Sequence, residues 1–334
     1  MFLKSIHLRQ FRCHEDLHVD FITTDAVKNP VRKTTFITGK NGSGKSALLQ
    51  AIAMVTGGTE ALRRMPGFPD RYIRQNQMSA ELSAVITTAQ GEERHLKLEL
   101  VRGESLRDAL RRARGGLAPI DAALRHTARS YFVAGFGSGR RIGNRYNARD
   151  IRPIDRPAAR YAAVQSLFNR DALLRPLPDW AADMRERSGT DALTALGAAI
   201  NAFLPEEVRF ESIDLLGNVL FKTPDGLLPL DDLSDGYQQT LAWVGDLLYH
   251  ISSTFGDYKN PLKARGLLLI DEADLHLHAA WQQQLYRFLE EGLPQFQVIA
   301  TTNSPATAAA AKTGEVLRLE RQSDGQPLIL PVAA

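Results

Sequence analysis

Eight consecutive residues, Gly39-Lys40-Asn41-Gly42-Ser43-Gly44-Lys45-Ser46, restrict this chain more than any other part of it. The spacing is G-x-x-x-x-G-K-S, which makes sense where a strand runs into the turn and a helix leaves it. Gly39, Gly42 and Gly44 let backbone N–H groups turn inward around phosphate oxygens, and the helix start adds its positive end. The Lys45 ammonium suits the β and γ phosphates of a nucleoside triphosphate, and the Ser46 hydroxyl suits a magnesium ion. The flanks agree. Thr34 to Thr38 reads as a strand, and Ser46 to Val55 as a helix with Leu48, Leu49, Ile52 and Val55 apolar. Gly39 through Ala47 are the expected nucleotide-binding residues.

Such a loop needs an acidic metal partner on a neighbouring strand, and Leu267-Leu268-Leu269-Ile270-Asp271-Glu272 offers one. The apolar run is expected of a strand covered on both faces. Asp271 would hold the magnesium shell, and Glu272 would orient or deprotonate the attacking water.

The rest of the chain reads as strand–helix–strand units at both ends of the sequence. Phe2, Ile6 and Leu8 share one face of a first strand, and residues 80–101 alternate as two more. From Ser105 to about His250 the texture turns to arginine- and alanine-rich helical segments. Ala280 to Glu291 reads as a helix, Gln297 to Thr301 as a buried strand, and Glu315 to Val332 as two short strands around Asp324-Gly325. The expectation is one α/β sheet interrupted by a mostly helical insertion. With 44% hydrophobic and 24% charged residues in 334, a mainly disordered chain is excluded. No stretch approaches the roughly 20 apolar residues that cross a bilayer, and Lys4, His7 and Arg9 break up the opening. The single cysteine, Cys13, excludes an intramolecular disulfide, so a cytoplasmic protein with no membrane partner is expected. The net charge of +3 decides little.

Three further segments narrow the class. Leu233-Ser234-Asp235-Gly236-Tyr237-Gln238 resembles the ABC-type signature LSxGxQ. Asp271-Glu272-Ala273-Asp274 with Thr301-Thr302-Asn303-Ser304-Pro305 and Leu8-Arg9-Gln10-Phe11-Arg12 resembles the RecF/OLD/SMC-like AAA ATPases. Similar proteins include stand-alone bacterial ATP-binding proteins of DNA repair and anti-phage defence. Transporter ATPases are less similar, because their S-A-L-D segment after the acidic pair is absent. The resemblance implies a P-loop NTPase fold, an ABC ATPase head with an inserted helical signature lobe. It implies a nucleotide-binding core at residues 1–130 and 260–334 and the lobe at 131–259. It also implies that Ser234, Asp235, Gly236 and Gln238 face the γ-phosphate of a second head, and that Asp274 crosses the dimer interface. Arg12 would lie near the nucleotide, and Arg140 or Arg141 near the γ-phosphate. Relatives usually carry histidine at the position of Asn303. Asparagine can hydrogen-bond to a phosphate or water but cannot relay a proton, so slow hydrolysis is expected.

Other features invite over-reading. Arg141, Arg145, Arg149, Arg152, Arg156 and Arg160 form a stripe that suits nucleic acid or, more often, a solvated salt-bridged face. His276 and His278 alternate beside the Asp274 loop, where packing outweighs a metal site. Trp243 and Trp281 are expected in the core. About thirty residues follow Ser304, so a nuclease partner is expected as a separate chain. The reading is an Mg²⁺-dependent ATPase whose ATP-closed homodimer switches an effector such as a nuclease, or a DNA or RNA contact. A slow ATP-bound scaffold is the second reading, and a transporter ATPase the third.

Overall fold

The computed structural model describes the chain except for residues 24–30, 89, 126–130, 143–159, 215, 256–260, 276, 278, 322–326 and 332–334. Six strands form the central sheet: β3 (Thr34–Thr38), β6 (Val133–Phe136), β12 (Gly266–Ile270), β13 (Phe296–Thr301), β14 (Val316–Arg321) and β15 (Pro327–Pro331). Their order is β15-β14-β3-β13-β12-β6, with every pairing parallel except the β14–β15 hairpin. The wholly apolar β12 is explained by its two covered faces. Leu267 and Leu269 join one hydrophobic core, while Leu268 and Ile270 join the other. Val298 and Ala300 on β13 face the second core and Ile299 the first. Each such fully buried aliphatic side chain contributes about 1.5–3 kcal/mol over its exposed state.

The strands that alternate in sequence do not join this sheet. β1 (Phe2–Phe11), β2 (His14–Asp20), β4 (Ser79–Thr87) and β5 (Glu93–Val101) make a separate antiparallel sheet in the order β2-β1-β4-β5. The expectation of one sheet is therefore corrected: these four strands form a second one. Half-buried strands need one wet face, which an antiparallel layer provides and the doubly covered central sheet does not. Helix α1 (Lys45–Thr56) packs between the two layers and is buried apart from Ser46 and Gln50. Helix α2 (Leu106–Ala123) lies against β5.

The middle of the chain is also less helical than its composition suggests. β6 is a strand of the central sheet, and β9 (Arg209–Ile213), β10 (Val219–Thr223) and β11 (Gly226–Pro229) form a third sheet. A two-residue pairing joins β7 (Arg141–Ile142) to β8 (Leu173–Leu174). Helices α3 (Leu177–Asn201) and α4 (Asp235–Thr254) carry the second core, with Trp243 2% exposed. Trp281, on α5 (Ala279–Arg287), is only partly buried, its ring edge-to-face with Tyr237 at 4.4 Å. Helix α6 (Pro305–Ala310) starts on a Ser304 side-chain cap. Among the described residues no helix is long and apolar enough to cross a membrane.

Candidate functional site

The glycine-rich loop sits at the C-terminal end of β3, where ligands settle in an open parallel sheet. Gly44 caps α1 with φ of 107°, and a Cβ there would stand 2.4 Å from the His14 ring. Gly42, at φ of 79°, has open space where its side chain would be. Lys45 Nζ donates to the carbonyls of Gly39 at 2.6 Å and Lys40 at 3.2 Å, folding the cation back over its own loop. Burial lowers the Lys45 pKa while Asp271, Glu272 and Asp274 pull it back up. The Ser43 hydroxyl is buried inside the loop without a hydrogen-bond partner.

Asp271 and Glu272 follow directly on β12. β12 is not next to β3, as the sequence reading supposed, because β13 lies between them. The carboxylate nevertheless reaches the loop: Ser46 Oγ donates to Asp271 Oδ2 at 2.7 Å. The other oxygen, Oδ1, accepts from Thr301 Oγ1 at 2.7 Å. Thr301 Oγ1 in turn accepts the Glu272 amide N–H at 2.7 Å. Glu272 occupies the left-handed region at φ of 50°, a strained position for a non-glycine residue. Three contacts hold it there: the Thr301 hydroxyl, Arg140, and the Leu275 amide, which donates to the Glu272 carbonyl at 3.0 Å. Arg140 Nη2 donates to the backbone carbonyls of both Asp271 and Glu272 at 2.7 Å.

Thr301 opens the Thr301–Pro305 segment that carries the family resemblance, but the sequence reading gave it no role of its own. Between Arg140 and Arg141, the buried clamp is Arg140, 3% exposed and with its pKa pushed down to about 10 by burial. It braces the backbone beneath the acidic pair, which a γ-phosphate contact would not require. Arg12 donates to Gln50, one turn along α1 from Ser46, and lies over the Tyr72 ring at 5.8 Å. It contacts the loop helix at that point. Asn303 Nδ2 donates to Asn41 Oδ1 at 3.2 Å, so the departure from the usual histidine lies against the loop itself. Asp274 Oδ1 is buried without a partner.

Ser234 caps α4 with its hydroxyl unused for the cap, and both Ser234 and Asp235 are exposed. Gln238 turns away from that surface to donate to the carbonyls of Asp231 and Leu233, at 2.9 and 2.7 Å. Gly236 lies in the first turn of the same helix. Of the arginine stripe, Arg145, Arg149, Arg152 and Arg156 lie outside the described residues, as do His276 and His278. Arg160 donates to the Leu124 carbonyl and is half buried, not a free surface cation.

The donor set fits a nucleotide with magnesium. Magnesium takes few protein oxygens and keeps water and phosphate oxygens for the rest. Ser46 Oγ and Asp271 Oδ2 are two such oxygens, side by side. The unpartnered Ser43 hydroxyl and the self-satisfied Lys45 are what a phosphate cradle presents to its ligand.

Comparisons with known proteins give the family and the fold. The family model described as "AAA domain, putative AbiEii toxin, Type IV TA system" matches residues 34–309. The "Septu protein PtuA" of Bacillus mycoides is 23% identical over 98% of this chain and 42% of its own length. The "OLD nuclease" of Thermus scotoductus is 23% identical over 96% of this chain and 62% of its own. The chain thus spans less than two thirds of either relative. Among solved structures, an SMC head bound to the C-terminal winged-helix domain of ScpA superposes with a TM-score of 0.55 at 15% identity, covering 100% of this chain and 98% of that one. The fold is that of a P-loop ATPase head.

Proposed function

The chain belongs to this AAA-domain family, and we propose that it binds and hydrolyses ATP with Mg²⁺ as a switch for an associated effector. The carrying observation is the Ser46–Asp271 contact at 2.7 Å, made across a strand order that separates the two elements. Lys45 would exchange its loop carbonyls for phosphate oxygens. Ser46 and Asp271 would hold the magnesium, which when bound offsets charge on the phosphates. Glu272 would take the proton of the attacking water, its backbone held by Thr301 and Arg140.

The exposed, unused Ser234 hydroxyl at the start of α4 supports a site completed by a second copy, with Asp274 near the crossing. Relatives named for Septu and OLD systems support a role in defence or repair and a nuclease as the effector; a direct DNA or RNA contact belongs to the same reading. A cytoplasmic site of action belongs to the same reading. The contact of Asn303 with Asn41 favours a slow, clamp-like cycle, the second reading.

Lys45→Ala should abolish ATP binding, and Glu272→Gln should keep binding while stopping phosphate release. Glu272→Gln should also trap an ATP-dependent dimer in light scattering, and adding Ser234→Arg should dissolve it. Wild-type turnover in Glu272→Gln would refute the assigned base. A dimer that survives Ser234→Arg would refute the signature contact.

A further inference from the structure

On the antiparallel-sheet side of the molecule lies a groove of about 640 Å³ walled by arginine. Arg107, Arg111 and Arg114 recur at i, i+4 and i+7 on α2, so they share one helix face. Arg63 closes the groove from the other side, at the end of the short helix Gly58–Leu62 that follows α1. Leu106 and Leu110 complete the lining. All four arginines are exposed. Among the described residues Arg63, Arg107 and Arg114 have no carboxylate within ion-pair reach, and only Arg111 has one, Asp108 at 2.8 Å. Asp108 is already engaged at the helix cap by Ser105. The walls are firmly held. Thr59 donates its amide and hydroxyl to Asp121 of α2 at 2.9 and 2.5 Å, tying the Arg63 helix to the arginine helix.

Four guanidinium groups converging with one neutralising acid repel each other, and a polyanion relieves that repulsion. From this we infer that the groove binds the phosphate backbone of a nucleic acid duplex. Arginine forks match phosphate oxygens two at a time. The span from Arg107 to Arg114 is about 10 Å along the helix axis. A duplex carries one charge per about 1.7 Å and presents about six phosphates over that length. Contacts to phosphate oxygens carry no sequence information, so a groove that grips the backbone would hold nucleic acid without reading its sequence. It rests on the nucleic-acid contact of the proposed function and gives that contact a place, but makes no use of the nucleotide site, so the ATPase reading does not stand or fall with it.

The test is fluorescence anisotropy of a short labelled DNA duplex with the full chain, nucleotide-free, between about 50 and 200 mM salt. Arg107→Glu with Arg114→Glu should weaken binding at least about tenfold and lower the log–log salt slope by about two, near 0.9 per lost phosphate contact. Arg107→Lys with Arg114→Lys should keep most of the slope. Arg209→Glu with Lys222→Glu changes the net charge equally on the distant third sheet and should change the slope little. Lys45→Ala protein should bind the duplex as well as wild type, which separates this inference from the ATPase reading. The inference is overturned by an unchanged slope in the groove variant, by an equal loss in the distant variant, or by polyglutamate binding the groove as tightly as the duplex.

Discussion

Replacing Thr301 by valine keeps the shape of the side chain and removes one hydroxyl that serves both acidic residues. That hydroxyl donates to Asp271 Oδ1 and accepts the Glu272 amide, each at 2.7 Å, and Thr301 is fully buried. A hydrogen bond to a charged group is worth about 1.5–3 kcal/mol, and a buried amide left unpaired costs about 1–3. Water entering beside the exposed Ser46 recovers part of the Asp271 share, so Thr301→Val should destabilise the fold by about 2–4 kcal/mol. The effect on turnover should be larger. Without the hydroxyl, Glu272 loses the contact that holds its amide at φ of 50° and relaxes. A shift of about 1 Å in a catalytic group costs roughly a hundredfold. Nucleotide affinity should hardly change, because Lys45 and the loop amides are untouched. Steady-state phosphate release, titration with a fluorescent ATP analogue and thermal unfolding would measure the three effects. Thr301→Ser retains the hydroxyl and should keep most of the rate. Near-wild-type turnover in Thr301→Val would refute the reasoning, as would equal losses in the serine and valine variants.

Two more outcomes follow from groups that touch the loop. His14 is fully buried, its Nε2–H donates to the Gly44 carbonyl at 3.1 Å, and burial lowers its pKa from 6.5 to about 4. The unfolded chain takes up that proton near pH 6.5 and the folded one only near 4, so stability is lost on acidification through this window. At about 1.4 kcal/mol per pH unit the loss reaches about 3 kcal/mol, and urea unfolding of His14→Gln should show a flatter pH profile between 4 and 6.5. Asn303→His should raise phosphate release if asparagine slows the switch, about tenfold per 1.4 kcal/mol of added transition-state stabilisation. An unchanged or lower rate with intact ATP binding would sink the clamp reading.

The loop, its strand and its helix were legible because local chemistry dictates them. Strand Thr34–Thr38 and helix Lys45–Thr56 match the reading to within a residue at each end. Sheet membership was not legible. Alternation in Phe2–Phe11 and Ser79–Val101 announces a half-buried strand but says nothing about its pairing partner, which is a long-range choice. β9 and β10 were missed although Val219-Leu220-Phe221 is a short apolar run and Thr223-Pro224-Asp225-Gly226 signals a turn; in β9 the buried Phe210 and Ile213 lie three apart, so no alternation marks it. The helical texture around them hid a local pattern. The clamp role of Arg140 could not be read in sequence, because whether its side chain turns inward depends on the strand end it meets. His14 left no signal: it stands three and five places before the buried Leu17 and Val19 of β2, in phase with the exposed Asp16 and His18, so alternation alone would turn it to solvent.

The insertion of β13 between the loop strand and the acidic strand gives one short run contact with every part of the site. Thr301 holds Asp271 and Glu272. The Thr302 amide donates to the Ile37 carbonyl at 3.1 Å, on the strand that enters the loop. Asn303 touches Asn41 within the loop. Ser304 Oγ donates to Gln282 on α5 at 2.6 Å, and the neighbouring Trp281 meets Tyr237 beside the exposed start of α4. Four successive residues thus reach the acidic pair, the loop strand, the loop and, through α5, the surface proposed to face a second head. Each hydrogen bond contributes about 0.5–1.5 kcal/mol net, and coupling between two sites is typically about 1–3 kcal/mol. Two or three of these contacts changing together on nucleotide binding are enough to supply it. Were β3 and β12 adjacent, the loop and the acidic pair would still meet, but no element would join both to the signature helix. On the proposed reading a switch would depend on the strand order as much as on the motifs, and the end of β13 with the three residues after it is where the loop's occupancy would be felt by the rest of the head.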